Sequence, residues 1–364
     1  MTKSSKMFVA IAALCLFGGT VSSCGTTDDK VIKIQFVPSR DAGELATLAS
    51  NLEPILAKYA TGYTFEITTG TSYAAVTEAL LSDQLDVGFL TASGYAEATL
   101  KHSGKVSVMM TSVRKGYKVQ VDDYPNSVEN QIKAMNGDIS GYTYRGEQSN
   151  TDVNWYTSQL NVRADKYVDK NGDGKIDIKD MAGLTIARQG TTSGAGYLRP
   201  LKYLHDNNMS MVDTLSTDAT TAATQIKGLY LKGYDAAYAA MQTGEVDGFW
   251  GFTDVRYSNG YNKEGNEYYH KDTAFTTSRV VAITDGIYND TISCRSNLSS
   301  EKQAAVKAAF KGAIKDGTTT TEGTGAYLLY NLYSHTGYTD AKDSDFDGER
   351  EFYQYCVDND LLGN

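Results

Sequence analysis

The chain of 364 residues is poor in proline, histidine and cysteine, and it carries fewer positive than negative charges. Four prolines, with 41% hydrophobic and 21% charged residues, leave a globular balance that excludes a collagen-like or disordered chain. The four histidines, His102, His205, His270 and His335, are scattered, and neither G-x-S-x-G nor H-E-x-x-H occurs. The nucleophile elbow of a hydrolase and the zinc helix of a metalloprotease are therefore missing. No catalytic residues are assigned, and an enzyme is not expected. Lysine plus arginine number 34 against 44 aspartates plus glutamates, a net charge of −10. Such a surface lacks the clustered cations that phosphate backbones need, which argues against a nucleic-acid partner. It leaves an anionic small ligand open, because backbone amides and hydroxyls can hold one without a full positive charge. What is abundant is tyrosine, at 26, and glycine, at 34. That mixture suits aromatic packing and equally suits the walls of a binding cleft.

The first 24 residues read as an address. Lys3 and Lys6 open it, Met7 to Phe17 is apolar but too short to span a membrane, and Val21-Ser22-Ser23-Cys24 closes it. The pattern resembles a bacterial lipoprotein signal peptide over 1–24, which implies lipidation at Cys24. Residues 25–30 are then a tether on the outer face of the cytoplasmic membrane. Of the remaining cysteines, Cys15 leaves with the leader. Cys294 and Cys356 can pair in an exported protein or stay as buried thiols.

The length of the remainder suits two domains. Val31 to Val37 alternates like a strand, Leu45 to Ala57 has helical spacing, and Tyr63 to Thr68 is strand-like. Hydroxyl-bearing turns at Thr71-Ser72 and Thr91-Ala92-Ser93 precede helices from Tyr73 and near Tyr95. The same grammar returns downstream, with a strand at Leu184 to Ala187, a turn at Gly190 to Gly196 and a helix from Tyr197. Tyr73 to Asp86 and Tyr234 to Asp247 echo each other, each an Ala-rich helix leading to an apolar strand, with the same 13-residue spacing. Strands alternating with helices imply a mostly parallel sheet with ligands at its carboxyl ends. Two such units require a cleft between them. Residues 113–168 are polar and weakly periodic and carry no detailed assignment. Ser299 to Lys315 is an amphipathic helix, and a last helix ends near Leu362.

Several segments, in order, resemble the phosphate, phosphite and phosphonate-binding proteins of ABC transporters. They are Pro38-Ser39-Arg40, Tyr73-Ala74-Ala75-Val76, Leu85-Asp86-Val87-Gly88, Thr192 to Pro200, Gly233-Tyr234-Asp235, Thr253-Asp254, Ile287-Tyr288-Asn289-Asp290 and Asp345-Phe346-Asp347. The resemblance implies a two-lobed α/β fold of the periplasmic-binding-protein type (type II), each lobe a mixed sheet flanked by helices. Lobe one would hold 31–115 and 285–364, and lobe two 116–284. It implies an ABC permease as partner, a monomeric chain, and a small phosphorus oxyanion as ligand. Tyr73 and Tyr95 would contact that ligand from lobe one, and Thr191, Thr192 and Ser193 from lobe two. Tyr234 stands where the family often has histidine, and Asp254 would accept from a ligand proton. The family's Ser-Thr-Ser run aligns either on Ser193-Gly194-Ala195 or on Thr191-Thr192-Ser193; the second keeps three hydroxyl donors. A same-fold receptor for another small anion such as a sulfonate, or one linked to a sensor, remains the alternative.

Residues 169–180 read separately as a calcium loop inserted in lobe two. Asp169, Asn171, Asp173, Asp177 and Asp180 occupy ligand positions 1, 3, 5, 9 and 12, with Gly174 at 6 and the Lys175 carbonyl at 7. A structural Ca2+ is the expected cofactor.

Overall fold

The computed structural model describes residues 30–39, 41–261 and 273–362. The leader, Cys24, residues 25–29 of the tether and Arg40 lie outside them. Along the chain the first strands and helices are β1 (Val31–Phe36), α1 (Ala42–Tyr59), β2 (Thr64–Thr69), α2 (Tyr73–Leu81), β3 (Val87–Leu90), α3 (Ala92–Lys101) and β4 (Val106–Tyr117). Next come α4 (Val128–Asn136), β5 (Gln148–Val153), β6 (Trp155–Arg163), β7 (Thr185–Arg188), α5 (Arg199–Asp206), β8 (Ser210–Val212), α6 (Ala219–Ala222) and β9 (Gln225–Tyr230). The last third holds α7 (Tyr234–Thr243), β10 (Gly248–Phe252), β11 (Ser278–Tyr288), β12 (Thr291–Arg295), α8 (Ser300–Ala313), α9 (Gly325–Tyr333), β13 (Gly337–Asp340) and α10 (Asp347–Asp358).

Two sheets result, ordered β13-β4-β12-β3-β1-β2, with β5 on β4, and β11-β6-β10-β7-β9-β8. Each has a parallel half, β2-β1-β3 or β8-β9-β7-β10, joined to antiparallel strands that arrive from elsewhere in the sequence. The architecture is the two-sheet α/β arrangement expected. Alternation drives β1, whose Ile32, Ile34 and Phe36 are fully buried among α1, α8 and α9. Helix starts follow side-chain capping. The Asp41 carboxylate accepts from Gly43 N and Glu44 N, Ser72 from Ala75 N, and Thr91 from Gly94 N. The chain passes between the sheets where Asn289 sits. Its amide Nδ2 donates to Ser112 O and Val153 O, and its backbone N to Asn154 O.

One boundary differs from the sequence reading, and two points it left open are filled in. β11 runs wholly in the second sheet to Tyr288, so the return to the first sheet falls after 288 rather than at 285. Residues 116–168, left without detailed assignment, are well structured. They supply a π-helical turn at Val119–Asp123, then α4, then β5 beside β4, then β6 at the heart of the second sheet. Cys294 and Cys356 are both free and buried, one in β12 and one in α10, which settles that pair as thiols. No helix among the described residues is long and apolar enough to cross a membrane.

Candidate functional site

A cavity of about 90 Å3 lies between the sheets, at the carboxyl ends of β1, β3 and β10. Helix starts from both halves point side chains into it. Tyr73, the first residue of α2, lines it from the first half. Tyr234, the first residue of α7, lines it from the second. The residue before that helix is Gly233, whose φ of 95° lies in the left-handed region that glycine tolerates. Gln189 pins that turn from both sides, donating through Nε2 to Gly233 O and accepting from Gly233 N through Oε1, each at 3.0 Å.

Ser193 completes this polar edge. Its Oγ accepts from Gly196 N at 3.2 Å and lies 3.0 Å from the Tyr234 hydroxyl. When Tyr234 donates that bond, the serine keeps its own hydrogen for the cavity. Burial pushes the Tyr73 and Tyr234 phenols above their ordinary range, so both stay protonated donors at neutral pH.

The charged groups are Arg114, Lys115 and Asp290. Lys115 pairs with Asp152 at 2.7 Å, and Arg114 Nη2 meets Asp290 Oδ2 at 2.5 Å. Burial alone raises the Asp290 carboxyl, but Arg114 and then His335 outweigh it and hold it below the ordinary carboxylate value. The Arg114 guanidinium also lies over the Tyr156 ring, 4.8 Å from its centre. Tyr156, Trp155, Tyr117 and Phe252 supply apolar wall. The site can therefore hold a compact ligand by hydroxyl and guanidinium donors within an aromatic box.

Of the residues singled out from sequence, Tyr73, Ser193 and Tyr234 are brought together here. The other four are placed elsewhere. The Tyr95 hydroxyl is spent on Asp343 at 2.7 Å, with its ring against Phe346. Thr191 and Thr192 line a separate groove beside Arg188 and Tyr197, although the Thr192 carbonyl accepts from Thr91 Oγ1, a cavity hydroxyl. Asp254 is fully buried in an ion pair with Arg256, 2.8 Å apart, and its neighbour Thr253 lines the cavity instead. Arg114 and Tyr156 escaped the sequence reading because both lie in the polar stretch of weak periodicity. Asp290 appeared there only as a landmark.

The 169–180 loop is ordered by its own side chains. Asp169 accepts from Gly172 N and Gly174 N, and Asp173 from Lys175 N. Asp180 is buried and accepts from Lys170 N and Asn171 N through Oδ1 and from Asp177 N through Oδ2. The oxygen donors have the chemistry of a calcium site. Their carboxylates are turned onto amides, however, and no metal-holding group of three acidic, histidine or cysteine side chains forms among the described residues.

Comparison with known proteins matches the chain to one family. Residues 34–346 fit the family model described as "ABC transporter, phosphonate, periplasmic substrate-binding protein". A comparison with curated proteins finds no match. Among solved structures, the binding protein component of an ABC phosphonate transporter from Pseudomonas aeruginosa is 15% identical with a TM-score of 0.61, over 92% of this chain and 89% of that one. A protein from Prochlorococcus marinus in complex with methylphosphonate is 12% identical with a TM-score of 0.61, over 90% and 99%. An alkanesulfonate-binding protein from Xanthomonas axonopodis, bound to MOPS, is 14% identical with a TM-score of 0.51, over 92% and 95%. The two-sheet fold is common to all three, and the family match spans most of the sequence. The chain belongs to the periplasmic substrate-binding proteins of phosphonate ABC transporters, and is a transport receptor rather than an enzyme.

Proposed function

We propose that the cavity captures a small phosphorus oxyanion, a phosphonate, phosphite or phosphate, and presents it to a membrane permease. The observation that carries this reading is the convergence of Tyr73, Ser193, Tyr234 and Arg114 on one small cavity. Four donors of this kind match an oxyanion, and about 90 Å3 has room for a compact one. Lipid anchoring through Cys24 and a monomeric state belong to the same proposal, supported by the sequence pattern and by the family's mode of action. Isothermal titration with methylphosphonate, phosphite and phosphate tests it. Ser193→Ala and Tyr73→Phe should each weaken the bound oxyanion about ten- to a hundredfold, the cost of one donor to a charged ligand. Tight binding of a neutral sugar, unaffected by Ser193→Ala, overturns it.

We also propose Ca2+ as the ion of the 169–180 loop, supported by the spacing and type of its oxygen donors. Because the carboxylates already hold amides, binding must turn them inward, and an affinity of about 10⁻⁴–10⁻³ M is expected. Chelated protein should gain thermal stability when calcium is added, and Asp173→Ala should abolish the gain. An unchanged melting temperature on adding calcium rejects the site.

A further inference from the structure

One hydroxyl on the cavity wall has no task inside the protein. Ser39 follows β1, at the carboxyl end where the cavity lies, and it lines that cavity. Its Oγ is buried and has no hydrogen-bond partner. The hydroxyls of Thr91, Ser193 and Thr253 on the same wall are engaged. Thr91 Oγ1 donates to Thr192 O, Ser193 Oγ lies 3.0 Å from the Tyr234 hydroxyl, and Thr253 Oγ1 lies 2.7 Å from Thr157 Oγ1. Among the described lining residues, the other buried side-chain polar atom without a partner is Arg114 Nε, since Asp290 takes that guanidinium through Nη2. An orphaned buried donor is costly in a folded chain, and such groups ordinarily find a partner. Two of them on one small cavity mark a place where oxygens of a ligand supply it.

The backbone around Ser39 is held from both halves. On its own side, Ser39 N donates to Val37 O at 3.0 Å, and the Tyr333 hydroxyl donates to the same carbonyl at 2.8 Å. From the second half, Tyr234 N donates to Ser39 O at 3.3 Å, and Asp235 Oδ2 accepts from Asp41 N at 3.1 Å. Tyr234 and Asp235 are the first two residues of α7. Resting on the proposed reading of the cavity as an oxyanion site, we propose that Ser39 Oγ donates a hydrogen bond to the bound oxyanion, and that the first turn of α7 sets this hydroxyl in place. A serine hydroxyl carries one hydrogen, and it bonds an anionic oxygen more strongly than a neutral one. Ser39 and Tyr73 then serve the ligand from the first half, and Ser193 and Tyr234 from the second. Tyr234 acts twice, lining the cavity with its phenol and holding a donor of the other half through its backbone N–H.

The test is calorimetric titration of the full chain with methylphosphonate and with inorganic phosphate, beside thermal melting without ligand. Ser39→Ala should weaken both ligands alike, about ten- to a hundredfold, because both present the same kind of oxygen. Its ligand-free melting temperature should stay the same or rise, since the change deletes a buried group that bonds nothing. Asp235→Ala loosens the grip of α7, so adding it to Ser39→Ala should cost less affinity than Asp235→Ala costs alone. Unchanged affinity in Ser39→Ala overturns the contact, assigns the hydroxyl to a water, and leaves the oxyanion reading intact. A lower ligand-free melting temperature, or failure to fold, shows that the hydroxyl holds the protein rather than the ligand and overturns the contact as well. Losses that multiply in the double variant remove α7 as the element that places the hydroxyl. Binding of neither ligand by the unmodified chain removes the oxyanion reading and this inference with it.

Discussion

Aspartates at equivalent places in the two halves do the same work, and one elsewhere does another. Asp86 and Asp247 close the two echoing segments, and each accepts the backbone N–H of a neighbouring parallel strand, Lys33 N at 3.1 Å and Thr185 N at 2.9 Å. Their 13-residue distance from Tyr73 and Tyr234 is thus set by one helix and one turn, and both tyrosines arrive at the cavity. Asp254 and Arg256 form instead a fully buried pair, worth keeping intact more than it is worth having. Arg256→Met leaves a buried carboxylate uncompensated and should cost about 3–5 kcal/mol in urea denaturation. His335 makes a pH prediction. Burial lowers its pKa to about 4 from an ordinary 6.5, so the folded chain resists a proton that the unfolded chain accepts. The stability it contributes is complete above pH 6.5 and is lost progressively down to about pH 4. At roughly 1.4 kcal/mol per pH unit the loss is on the order of 3 kcal/mol. The melting temperature should fall over that window, and His335→Phe should flatten the fall.

At the scale of elements, α10 connects the two halves. Glu349 accepts from Ser93 Oγ at 3.2 Å and Tyr288 N at 3.1 Å, and pairs with Arg199 of α5 at 2.6 Å. The Arg199 guanidinium also lies 3.7 Å from the centre of the Phe352 ring. Arg199→Met should strand the buried Glu349 carboxylate and lower stability by about 3–5 kcal/mol, read as a shifted urea midpoint. An unshifted midpoint assigns the clamp to something else. None of these contacts was visible beforehand, since Arg199 and Glu349 are 150 residues apart. What could be read was local. The β1 alternation, the capped starts of α2 and α3, and the Tyr-to-Asp echo all depend on neighbours within a few turns, and those elements stand where expected. The places of Ser193 and the paired tyrosines at helix starts followed from the same strand-turn-helix logic, and their ligand roles came from the family resemblance. Arg114, Tyr156 and Asp290 lie on long strands and on the passage between sheets. Only the pairing of distant segments brings them to the cavity, so no short pattern announces them. Asp254 misled for the converse reason, because its partner two residues on claims it before any ligand can.

At the scale of the molecule, the two halves touch on both sides of the cavity. Thr91 Oγ1 donates to Thr192 O at 3.0 Å, Asp41 N to Asp235 Oδ2 at 3.1 Å, and Tyr234 N approaches Ser39 O at 3.3 Å. These contacts hold the two halves together around the cavity. The chain passes between the sheets near Ser112, Val153 and Asn289, and Asn289 bonds to the other two. Closure then draws on the ligand's contacts plus a few hydrogen bonds at the mouth. The apparent affinity is the closed-state affinity reduced by the fraction of chains able to close. Asp235→Ala removes the acceptor for Asp41 N without touching the cavity wall. One exposed hydrogen bond contributes about 0.5–1.5 kcal/mol, so methylphosphonate should bind roughly two- to tenfold more weakly with its selectivity unchanged. Small-angle scattering should show the radius of gyration falling when ligand is added to the unmodified chain, and falling less completely in the variant at equal ligand. A radius that ignores ligand in both proteins would mean that the halves are fixed, and that entry takes another route.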